Sequence, residues 1–151
     1  MRLEFISLRA FGSEYEVAKD SSEEQVGRQN LAKALLADKV KSKYLSVQEL
    51  AEKIQNPTYN STNLKLEGFV VRDITNKSIL GFVLYTTINE YTRVSDMFKF
   101  EAGRHKKLFT HIGTVLNKTI GWKGDLSEDG NNVKMIPSFN KARPLDYKIT
   151  L

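Results

Sequence analysis

The chain has 151 residues, 40% of them hydrophobic and 27% charged, with no cysteine and a net charge of +5. That length fits a single domain over residues 1–151, and a cysteine-free chain excludes a disulfide framework, a thiolate metal site and a thiol nucleophile. No apolar run approaches the ~20 residues that span a bilayer, and the start Met1-Arg2-Leu3-Glu4-Phe5 lacks a signal peptide's long apolar region, so the expectation is a cytoplasmic protein with no membrane partner.

The basic balance suits phosphate-bearing partners, nucleic acid or a nucleotide cofactor. The alternative is a basic, soluble surface and nothing more. The run Leu3 to Phe11 reads as a first strand, broken by Gly12 and Ser13. Tyr15 to Asp20 is a short strand or a loop. Ser21 with Glu24 three residues on forms a capping box, predicting a helix that runs through Val26, Leu31 and Leu35 to about Lys41. Ser46 with Glu49 starts a second helix carrying Leu50 and Ile54, which Asn56-Pro57 ends.

Leu64–Asp73 and Ser78–Ile88 are β-rich runs joined by Ile74-Thr75-Asn76-Lys77, the pattern of an antiparallel hairpin. They are apolar at successive positions near Phe82-Val83-Leu84, which predicts a sheet covered on both sides. After a turn at Asn89 to Thr92, Val94, Phe98 and Phe100 fall at even spacing with Met97 on the other side, as in a buried strand. Leu108, Ile112, Val115, Leu116 and Ile120 then draw one stripe down a helix, with Gly121 as its stop. Lys123 to Asn132 reads as a surface loop, Val133 to Ile136 as a last strand and Asn140 to Leu151 as a short mixed tail. The expected class is α+β, a mixed, mainly antiparallel sheet flanked by helices.

Between the Phe100 strand and the Leu108 helix lies Arg104-His105-Lys106-Lys107. A helix start favours anions, so basic residues there oppose the dipole unless an anion compensates. Such a turn can hold a phosphate; the alternative is a solvated basic turn. His105 and His111, the two histidines, are six apart and face different sides of a helix, which disfavours a two-His metal site. Arg93, Phe98, Lys99, Phe100, Arg104 and Lys106 can alternatively serve a nucleic acid strand by stacking and neutralisation.

The order of elements, with four local stretches, resembles the GNAT superfamily of N-acetyltransferases. The stretches are Phe69 to Asp73 with Ile79 to Val83, Arg93 to Phe98, Arg104 to Thr110, and Val133 to Ile136 with Asn140 to Tyr147. Together they cover roughly residues 64–151. The family's phosphate-cradling glycines fall at Lys107 and Phe109 of this chain. The resemblance implies acyl transfer from acyl-CoA to a small-molecule or protein amine acceptor. It implies a cofactor site at Met97, Phe98, Arg104, His105, Lys106, Lys107 and Asn140, with Tyr147 as general acid and Glu101 or Asp96 as general base. The rival expectation is a small, basic, non-enzymatic protein that binds nucleic acid or a protein partner.

Overall fold

The computed structural model describes residues 2–39, 46–56, 58, 65–104, 107–124 and 146–151. The strand expected at Val133 to Ile136 and most of the expected loop before it lie outside these. Five strands, β1 (Leu3–Ser7), β2 (Glu67–Asp73), β3 (Ile79–Ile88), β4 (Tyr91–Lys99) and β5 (Tyr147–Thr150), form one sheet in the order β4-β3-β2-β1-β5. All neighbours are antiparallel except β1 and β5, which run parallel. The helices are α1 (Leu8–Gly12), α2 (Glu23–Ala37), α3 (Val47–Gln55) and α4 (Leu108–Ile120). The fold is therefore α+β with a mixed, mainly antiparallel sheet.

Both faces of the sheet are buried. On one, Ile6, Val70, Phe82, Leu84, Phe98 and Phe100 meet α1, α2 and α3. On the other, Phe5, Phe69, Val71, Val83 and Val94 meet Leu108, Ile112, Val115 and Leu116 of α4. The predicted stripe of α4 is thus its core face, with Ile120 partly buried at the end. Gly121 stops the helix with φ 68°.

The hairpin of β2 and β3 forms as expected. The turn from β3 to β4 uses two left-handed residues, Asn89 (φ 47°) and Glu90 (φ 68°), the geometry that matches strand twist in a two-residue hairpin. Ser46 caps α3 by accepting from Glu49 N–H. Ser22, not Ser21, caps α2, accepting from Gln25 N–H, and the helix ends at Ala37.

The expected strand from Leu3 to Phe11 is corrected: the chain turns helical at Leu8, where the Ser7 hydroxyl accepts from Ala10 N–H. The apolar residues of this run alternate imperfectly and fit a strand or a helix, so the cap decides. The facing of β4 is corrected too. Leu84 pairs with Asp96 but Tyr85 with Val94, so Ser95 is an extra residue, a β-bulge. The bulge turns Val94 and Met97 toward α4, and Phe98 and Phe100 toward the other layer.

The helical layer depends on one close approach. A Cβ on Gly27 would lie 1.9 Å from the Leu8 carbonyl oxygen, backbone that cannot yield cheaply. Helix propensity alone would favour Gly27→Ala by about 1 kcal/mol; overpacking opposes it by about 1–3 kcal/mol or more. Gly27→Ala should therefore lower the urea midpoint, and a raised midpoint would show that α1 and α2 can separate freely. Leu116→Ala, which empties a fully buried position, should cost about 2–5 kcal/mol in the same melts.

Candidate functional site

The basic turn lies where β4 passes into α4. Phe100 N–H donates to the Leu80 carbonyl at 2.9 Å, which holds the strand end against β3. A short 3-10 turn, Glu101–Gly103, follows. Leu108, the first residue of α4, is fully buried against Gly81 and Gly103. A Cβ at Gly81 would meet Leu108 Cδ2 at 2.6 Å and one at Gly103 at 3.2 Å. The two bare backbones let Leu108 seat deeply, and this pins the start of α4 beside the sheet.

That start is unusual in two ways. Its N-cap, Lys107, has left-handed backbone (φ 51°, ψ 38°) and makes no side-chain cap, and the first turn carries no acid. An α-helix leaves its first N–H groups without intrahelical partners, and among the described residues no carboxylate or hydroxyl caps the dipole's positive end here. Arg104 and Lys107 are exposed at this end. Lys99 sits over the ring of Phe109 at 4.6 Å from the centroid. Arg104 Nη1 lies 3.4 Å from Glu101 Oε1 with both side chains more than half exposed, a contact that contributes little and leaves Arg104 available.

One turn along, His111 is half-buried and its Nδ1 is buried without a hydrogen-bond partner. Burial and the nearby Lys107 charge push its pKa below the ordinary histidine value, so the imidazole is neutral at pH 7. The i, i+4 spacing of Lys107 and His111 is the sequence signal for this pair.

The other candidates are dispersed. Asp96 is half-buried on β4 and already engaged: Lys53 Nζ from α3 is 2.7 Å from its Oδ2, and Ser95 Oγ donates to the same oxygen at 2.7 Å. Glu101 offers its N–H to the Asp38 carboxylate at 3.1 Å while its own side chain is in solvent. Met97 faces α4, and Phe98 is core beneath α1 to α3, stacked on Phe82 at 5.6 Å. Tyr147 opens β5, a strand where the resemblance implies a helix start, and packs edge-on to Phe5. β4 and β5 are the two outer strands of the described sheet, and four strand spacings of about 4.8 Å separate Tyr147 from Asp96 by roughly 19 Å. The implied acid and its candidate bases are therefore not brought together. His105, Lys106 and Asn140 lie outside the described residues.

Among the described residues no helix is long and apolar enough to cross a membrane, and no group of three or more His, Asp or Glu is placed to hold a metal. Comparison with family models, with curated proteins and with solved structures finds no match to this chain.

The left-handed backbone of Lys107 generates a stability prediction. Glycine removes a strain of about 1–2 kcal/mol there but adds about 0.5–1 kcal/mol of unfolded-chain entropy. Lys107→Gly should leave stability unchanged or raise it by up to about 1.5 kcal/mol in denaturant melts. A loss beyond that range would mean that the Lys107 side chain itself packs.

Proposed function

We propose that this protein is a small basic binding protein that takes a phosphate group of nucleic acid at the N-terminus of α4. The observation that carries the reading is the start of α4, with no side-chain cap and no acid in its first turn, following Arg104 and Lys107. N–H groups without intrahelical partners, the dipole and two exposed cations all favour an anion at one place. The net charge of +5 brings a polyanion toward it. Phe109, half-buried beside Lys99, offers a ring edge next to the phosphate position.

Acyl transfer from acyl-CoA to an amine is the second reading. It is favoured by one observation: Lys107 stands where the resembled family carries a glycine and has backbone that favours glycine. The distance between Tyr147 and Asp96 counts against it.

Thermal shift and titration with inorganic phosphate, coenzyme A and a single-stranded oligonucleotide separate these readings. Under the first, the oligonucleotide raises the melting temperature by mass action and binding weakens steeply with salt. Replacing Arg104 by Ala together with Lys107→Gly should flatten the salt slope by about 2 units. Under the second, coenzyme A binds at low micromolar concentration and the oligonucleotide does not compete. Both readings fail if no probe binds, or if the double variant binds as the parent does.

A further inference from the structure

The last strand is tied to the sheet through a buried charge. Among the described residues β5 pairs only with β1, over Leu3 to Ile6 against Tyr147 to Thr150. Glu4, in the middle of β1, is 6% exposed. Its Oε1 accepts from Arg72 Nε of β2 at 2.7 Å and its Oε2 from the Thr150 hydroxyl of β5 at 2.6 Å. The other edge of the Arg72 guanidinium forms a two-pronged pair with Glu14, at 2.7 and 2.6 Å. One chain of contacts thus runs from the segment after α1, through β2 and β1, to β5. Besides backbone pairing, which includes Leu3 N–H to the Asp146 carbonyl at 3.2 Å, the other described polar ties of its flanks are exposed: Arg2 to Asp146 at 3.2 Å and Arg9 to the Leu151 carbonyl at 3.3 Å.

We propose that the Glu4 carboxylate is a latch for the C-terminal strand, so that loss of the Thr150–Glu4 bond or of the Glu4 charge frees β5 while β2, β3 and β4 stay paired. A charge-assisted bond in a buried setting is stronger than a neutral one. Removing it acts on a strand of four residues with one neighbour, whereas β2 and β3 each have two. Release would open the backbone groups along the outer edge of β1.

The groups facing Glu4 fix the pH dependence. Arg72 faces it from β2, and Thr150 and Lys148 from β5; Glu14 reaches it through Arg72, with Tyr15 and Lys77 beside Glu14. Burial pushes the Glu4 carboxyl up, but the bonds from Thr150 and Arg72 and the charges of Arg72 and Lys148 outweigh it and hold it below the ordinary glutamate value. The Arg72 bond holds Glu14 below that value as well. A carboxylate depressed in the folded state stabilises it above the unfolded pKa, and the contribution is lost as pH falls through the lower folded pKa. The latch is closed at neutral pH and opens in acid.

Hydrogen exchange at single-residue resolution tests this on the full chain. In Thr150→Val the amides of Tyr147 to Thr150 should exchange about tenfold faster or more at pH 7, since tenfold corresponds to 1.4 kcal/mol. The amides of β3 should keep the parent rate, and Thr150→Ser, which restores the hydroxyl, should return β5 to it. Between pH 7 and pH 3 the parent's β5 rate, corrected for intrinsic exchange, should rise relative to that of β3. An unchanged β5 rate in Thr150→Val overturns the proposal. So does an equal acceleration of β5 and β3, which would mean that β5 opens only with the whole sheet.

Discussion

A sheet that is apolar on both faces must be covered twice, and both covers here depend on how near a helix can come. Phe82 and Val83 are adjacent in β3, fully buried, and belong to opposite faces. Neither face tolerates water, since each buried side chain of this size is stabilised by about 1.5–3 kcal/mol relative to exposure. On one side Gly27 lets α2 touch the backbone of α1. On the other, Gly81 and Gly103 admit Leu108, so α4 begins against the sheet. The candidate anion site is a by-product of that second contact: the seat of Leu108 decides where the free N–H groups of α4 emerge.

Two buried arginines connect the elements that apolar packing alone would leave loosely registered. Arg28 of α2 donates to the carbonyls of Ile54 and Leu66, joining the end of α3 to the approach of β2, with Glu24 Oε2 3.5 Å from its Nε. Arg72 joins β2 to Glu4 and Glu14. A guanidinium presents five donors in a rigid fork, so one side chain can satisfy partners on three segments where a lysine would satisfy them from a single point. Taking one partner away from such a buried set leaves a charge uncompensated, which is why these networks resist piecemeal change.

The sequence made the middle of the fold legible because the signals there are local. The hairpin of β2 and β3, the Ser46 cap and the stripe of α4 each follow from residues within one element. The misreadings arise where the deciding partner is distant or the period is broken. Leu8, Ala10 and Phe11 are apolar around Arg9 in a spacing that keeps to neither period, so only the Ser7 cap separates helix from strand. Val94 and Phe98 look alike in spacing, yet the extra residue Ser95 sends them to opposite cores. Tyr147 to Thr150 is too short to announce a strand, and its partner is β1, at the other end of the chain. The site was legible in part. The charge of the basic turn and its place at a helix start could be read directly, but the left-handed Lys107, the missing cap and the buried His111 nitrogen are properties of the packed backbone.

Two helical beginnings lie within seven residues of each other, and they are treated in opposite ways. The 3-10 turn at Glu101 receives an internal anion: its first N–H donates to Asp38, supplied from the end of α2. Among the described residues the beginning of α4 receives none, although Glu101 is close enough to reach Arg104. An acid placed in the first turn at Thr110, which is only partly buried, would contribute about 0.3–1 kcal/mol. The chain instead carries a lysine in strained backbone at the N-cap and an arginine just before it. Stability alone does not account for this choice. The choice is the one the proposed anion site would require, since an internal carboxylate would occupy the same N–H groups and repel the ligand.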